Sequence, residues 1–142
     1  MKFEELQKQI EEDFNNTNEY DLGKEVLRND NLFGKYIIFL KDEKIRLAKI
    51  EAQLKKMIFF KKQYYSGQLS DEHYQENPLD KRYIKTELSD VLNADKDIIT
   101  LNEMLSNSAL KVTMIEGAIK RIDRRGYDLK TAVDYLKFTQ GV

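Results

Sequence analysis

From Asp21 to Tyr65 the chain carries a stripe of Leu22, Val26, Asn29, Phe33, Tyr36/Ile37 and Leu40, then Leu47, Ile50, Leu54, Met57/Ile58 and Tyr65. These steps lie nearer a heptad than a 3.6-residue repeat, so they predict one long helix making coiled-coil-like contacts. Gly34 and the polar Lys41–Lys44 stretch are the places where it could break. Unbroken, the helix is roughly 65 Å long at 1.5 Å per residue. Such a rod cannot satisfy its stripe against the one short amphipathic helix before it, whose apolar side is Phe3, Leu6, Ile10 and Phe14. That first helix ends at Asn15-Asn16-Thr17-Asn18, where short polar side chains compete for the backbone.

Ser66 to Pro78 holds Gly67, Asp71, Asn77 and the only proline, and reads as a loop. Helical spacing resumes at Leu88, Val91 and Leu92. A second long stripe then runs Ile98, Leu101, Leu105, Ser108/Ala109, Val112, Ile115, Ile119 and Ile122. Gly126, behind the basic Arg124-Arg125, is expected to cap that helix, and Asp128 to start a short last one along Leu129, Ala132, Val133 and Leu136. The fold expected is all-α: one helical domain over residues 1–142, with N-terminal helices over 1–65, a loop over 66–84 and C-terminal helices over 85–142. The second stripe is narrow, with small residues at Ser106, Ser108, Ala109, Gly117 and Ala118. A seam of this kind favours helix association within the chain or between copies, which makes Leu105, Val112, Ile115, Ile119 and Ile122 the candidate self-association residues.

Catalysis finds no support. There is no cysteine, a single histidine (His73), no G-x-x-x-x-G-K-[ST] loop and no G-x-G-x-x-G turn. The usual zinc ligand sets cannot be assembled from one chain, and no cofactor or metal is expected. His73 is expected to be exposed in its loop, and Asp95-Lys96-Asp97 to favour the start of a helix rather than a metal. The acidic, amphipathic N-terminus is unlike a secretory signal. The longest apolar run, Tyr36 to Leu40, is far short of the ~20 residues a membrane span needs. A soluble, intracellular-type protein is expected.

The net charge of −1 conceals a strong pattern. Residues 1–25 sum to −5, 35–65 to +6 (nine basic against three acidic), 66–100 to −4 and 101–142 to +2. One basic block between acidic ones fits an anionic partner that touches a single region, although a solvated helix face explains any one charge run as well. Within the block stands KKMIFFKKQYYSG, Lys55 to Gly67. Successive helical residues turn by about 100°, so Phe59 lies nearly opposite the stripe and shares a face with Lys55, Lys56 and Lys62. Phe60, Tyr64 and Tyr65 are expected to pack, with Lys61 close to the apolar side. A ring among cations suits single-stranded nucleic acid, where phosphates meet the lysines and a base stacks on the ring. The candidate DNA-binding residues are therefore Lys55, Lys56, Phe59, Lys61 and Lys62. Arg121, Arg124 and Arg125 form a candidate second contact, which a basic helix terminus also explains. An anionic membrane surface competes less well, since only Phe59 is free to insert. A coiled-coil scaffold with no nucleic-acid role accounts for the same stripes.

Ile50-Glu51-Ala52-Gln53, Tyr64-Tyr65-Ser66-Gly67, Lys85 with Glu87, Val91-Leu92-Asn93-Ala94-Asp95-Lys96-Asp97, and Arg125-Gly126 followed by Tyr127 stand in one register. In these residues the chain resembles the UvsY recombination mediators of T-even-type bacteriophages, over roughly Leu47 to Gly141. The resemblance implies a small helical protein that binds single-stranded DNA and forms a ring of about six or seven subunits through its C-terminal part. It implies a protein that helps a strand-exchange recombinase replace the single-strand-binding protein, contacting both without hydrolysing ATP, in the cytoplasm of the infected bacterial host. The family's DNA-binding basic residues fall on Phe59-Phe60-Lys61. Lys61 keeps the charge, Phe59 replaces it, Lys62 stands one turn away, and Lys55 matches a family lysine.

Overall fold

The computed structural model describes residues 1–141 and holds five helices: α1 (Phe3–Asn15), α2 (Leu22–Tyr65), α3 (Asp71–Glu76), α4 (Lys85–Asn93) and α5 (Lys96–Gln140). The heptad-like stripe of α2 is one uninterrupted helix. Neither Gly34 nor Lys41–Lys44 breaks it. The chain forms two compact units, each built from part of both long helices. One comprises Met1–Ile45 and the chain from Ser108 onward; the other is Arg46–Asn107.

In the first unit Leu6 and Phe14 of α1, Leu32 and Tyr36 of α2, and Ile115, Ala118 and Ile122 of α5 form one buried cluster. Tyr36 is fully buried, with its ring edge-on to Phe39 at 5.3 Å. Its hydroxyl donates to Asp13 Oδ2 at 2.7 Å, and Lys35 Nζ meets the same oxygen at 2.8 Å. Burial opposes the charge on Asp13, but these donors outweigh it and hold the carboxyl below its usual range. Two further polar ties join α2 to α5. Glu43 accepts from Ser108 Oγ at 2.8 Å and pairs with Lys111 Nζ at 3.1 Å, while Lys111 also donates to the Met1 carbonyl. Glu25 takes Arg125 and Arg28 in ion pairs, and Arg125 Nη1 donates to Asn29 Oδ1 at 3.0 Å.

One sequence expectation is corrected in this unit. Gly126 does not end a helix, because α5 continues through it to Gln140. Glycine costs a helix interior only about 1 kcal/mol, and here its bare backbone faces Asn29. That side chain donates to the Ile122 carbonyl, and its Nδ2 lies 3.4 Å from where a Cβ on Gly126 would stand. The candidate self-association stripe packs largely within the chain. Val112, Ile115 and Ile122 are buried within one chain, and Leu105 and Ile119 are half-buried. The long α2 stripe needs this apolar surface for its own core, so a charge at Ile115 should unfold the unit rather than disperse an assembly.

In the second unit Ile50, Leu92 and Ile98 are buried. The segment expected to be loop contains α3, started by Ser70, whose Oγ accepts the His73 N–H at 3.3 Å. His73 is accordingly not an exposed loop residue. It is half-buried, edge-on to Phe60 at 5.5 Å and to Tyr64 at 5.7 Å. Tyr74 stacks on Tyr64, and its hydroxyl donates to the Tyr64 carbonyl at 2.7 Å, closing one of the open carbonyls at the end of α2.

Gly67 completes that end. Its φ is +75°, Gly67 N–H donates to Tyr64 O and Gln68 N–H to Gln63 O, the paired bonds of a Schellman motif. A Cβ here would stand 2.6 Å from Arg82 Nε. Gly67→Ala should therefore lower the urea midpoint, by an amount corresponding to at least about 1 kcal/mol.

Candidate nucleic-acid interface

The candidate face lies in the Arg46–Asn107 unit, on the last turns of α2. Phe59 is 66% exposed, and Lys55, Lys56 and Lys62 around it are exposed. Among the described residues no carboxylate stands within ion-pair distance of these three lysines. The helix turns by about 100° per residue, which places Lys55 and Lys62 to one side of the ring and Lys56 to the other. Three exposed ammonium groups thus surround an out-facing phenyl ring. Opposite it, Ile50 is buried and Leu54, Met57 and Ile58 are half-buried, so one side of α2 is anchored while this one stays wet.

Lys61 departs from its expected part in this grip. Its side chain is 15% exposed, and its Nζ lies 3.1 Å from Asp95 Oδ2 and 2.8 Å from Asp97 Oδ2. Burial works against the charge of Lys61, but Asp97 and Asp95 outweigh it and hold the ammonium above its ordinary range. The reason is angular: Lys61 emerges on the apolar side of α2, where the start of α5 packs. Asp95 is the centre of that junction. Its Oδ1 accepts the N–H groups of Asp97 and Ile98 at 2.9 and 3.1 Å, capping α5, as expected for an anion at a helix start. Its Oδ2 accepts the Tyr65 hydroxyl at 2.5 Å as well as Lys61. Burial raises the carboxyl and these donors lower it, with a net shift below the usual range. Burial and the hydrogen bond to Asp95 both push the Tyr65 hydroxyl upward. Lys61 therefore positions the helix end that carries the free lysines.

Phe60, expected to pack, is only partly covered, lying against His73, while Tyr64 and Tyr65 are half-buried in the aromatic group as expected. Beside Phe60 an open groove of about 500 Å³ runs between α2 and α5, over Met57 and Leu101. Nothing in the sequence pattern points to this groove, because Met57 and Leu101 belong to the ordinary stripes.

In the other unit the second candidate cluster divides. Arg125 is nearly buried in its pair with Glu25. Arg121 lies over the Phe14 ring at 4.6 Å, and Arg124 is exposed. All three line a cavity of about 440 Å³ that also holds Glu19 and Asp128, so its charge is mixed. Among the described residues no group of three or more His, Asp or Glu could hold a metal ion, and no helix is long and apolar enough to cross a membrane.

Residues 9–142 match the family model described as "Recombination, repair and ssDNA binding protein UvsY". This chain belongs to the UvsY family. It is 29% identical over 141 residues to the recombination protein uvsY of Enterobacteria phage T4, covering 99% of each chain. Two crystal structures of the bacteriophage T4 recombination mediator protein UvsY superpose with TM-scores of 0.83 and 0.82 at 27% and 28% identity. The first match covers 98% of this chain and 99% of the other; the second covers 99% and 98%. Recombination, repair and binding of single-stranded DNA are thus the functions of the family to which the chain belongs.

Proposed function

We propose that this UvsY-family chain is a recombination mediator whose Lys55, Lys56 and Lys62 hold the phosphates of single-stranded DNA around the Phe59 ring. One observation carries the reading: the cations without a carboxylate partner on this stretch of α2 are those that encircle its exposed aromatic side chain. One patch binds weakly. Several patches in one homo-oligomer, a ring of about six or seven copies, raise the effective concentration of the next patch into the millimolar range when spacing permits. Apolar side chains left exposed near the end of α5, Tyr127, Tyr135, Leu136 and Phe138, offer surface for such an assembly. A strand drawn over a ring is bent, which loosens a competing single-strand-binding protein and presents prepared DNA to a strand-exchange recombinase. The chain contributes binding energy and geometry, with no hydrolysis of ATP.

The test is a strand-exchange reaction on DNA already covered by single-strand-binding protein, with mass photometry of the mediator alone and with the DNA. An assembled protein that binds the strand and removes the recombinase's lag supports the proposal. A protein that assembles yet ignores DNA is a scaffold.

A further inference from the structure

The groove beside the basic face shares only Lys56 with the grip described so far. Met57, Phe60 and Leu101 give it an apolar floor, while Lys56, Gln53, Thr100 and Asp97 stand around it with hydrogen-bonding groups of both kinds, the Asp97 carboxylate being paired with Lys61 at 2.8 Å. Its volume of about 500 Å³ lies in the range of small-ligand sites. Lys56 belongs to both features: from its position on α2 it stands between Phe59 and Phe60. A strand held by Lys55 and Lys62 on one side of the ring and by Lys56 on the other is thereby led to the groove.

We propose that this groove is a nucleobase site, receiving a base of the single strand next to the one that stacks on Phe59. The inference rests on the DNA-binding reading of the basic face and assigns that face a second subsite. The occupant follows from the lining. A nucleobase has two apolar faces that need a floor such as Phe60 and Met57, and a polar edge that needs donors and acceptors such as Gln53 and Thr100. The phosphate it carries needs a cation at the rim, which Lys56 supplies. Because Gln53 and Thr100 both donate and accept, the site takes any base, as a mediator working on arbitrary sequence requires.

Two measurements test it on the full-length protein. The first is irradiation of an oligothymidine containing 5-iodouracil, with the adducts mapped by mass spectrometry. Adducts on Phe60 or Met57 are expected alongside those on Phe59. Binding with adducts on Phe59 but none on the groove residues overturns the subsite and leaves the basic face standing. The second compares oligothymidine with an abasic oligomer of equal length, using Phe59→Ala. With the outer ring gone, removing the bases should still weaken binding by about tenfold for each base that stacks. A Phe59→Ala protein that no longer distinguishes the two oligomers overturns the groove. Failure of wild type to bind either oligomer would overturn the DNA-binding face itself, and the subsite with it.

Discussion

Asp95→Ala should destabilise the protein by about 3–5 kcal/mol, the usual cost of removing one partner of a buried ion pair. The carboxylate, 4% exposed, serves four donors at once: two backbone N–H groups at the start of α5, the Tyr65 hydroxyl and Lys61. Losing the cap alone costs about 1 kcal/mol. The remainder comes from leaving the largely buried Lys61 with only the exposed Asp97. The same carboxylate predicts an acid dependence. Its folded-state pKa lies below the ordinary value of 3.8, so the unfolded chain binds its proton first. Its contribution is full above about pH 4 and is lost as pH falls through the folded-state value. Asp13 and Glu25 are shifted in the same direction and add to the acid limb. Lys61, held above its ordinary value, contributes at every pH below about 10 and loses that contribution as pH rises further. Urea titrations from pH 3 to pH 7 should therefore show a smaller acid-induced loss in Asp95→Ala than in wild type.

Lys111→Met should cost a similar ~3–5 kcal/mol, because it strands the Glu43 carboxylate in the first unit's interior with only Ser108 to serve it. The diagnostic result is the double variant. Glu43→Met/Lys111→Met removes both charges and replaces them with apolar volume, so much of the loss should return. A coupling of roughly 1–3 kcal/mol in the double-mutant cycle identifies a true pair. Simple additivity would mean that each side chain matters through its own packing. A buried pair here disfavours a slip by one heptad between two near-periodic stripes, since each charge would then lose its partner.

The helices were legible because their apolar period is local information: α1, α2 and α4 lie within a residue or two of where the spacing puts them. What the stripes bury against was not legible. Ile115 and Ile122 look the same as a surface seam or as core, and only the folded chain shows Leu6, Phe14, Leu32 and Tyr36 in one cluster with them. Gly126 misled because a glycine behind two arginines has the composition of a helix end; its actual neighbour, Asn29, lies far away in sequence. α3 was missed because six residues are too few to show a period. At the basic face, rotation about the helix axis placed Phe59, Lys55, Lys56 and Lys62 outward. The engagement of Lys61 depends on Asp95 and Asp97, whose approach no local pattern encodes.

The salt dependence of single-stranded DNA binding measures the central claim most directly. Each phosphate neutralised on a single strand contributes about −0.7 to the slope of log affinity against log salt. Lys55→Ala/Lys56→Ala/Lys62→Ala should weaken binding and flatten that slope by about two, whereas Lys61→Gln, which removes an ammonium already claimed by two carboxylates, should leave the slope unchanged. If the triple variant keeps the wild-type affinity and slope while Lys61→Gln loses them, the strand is gripped elsewhere and the face around Phe59 is only a solvated helix surface.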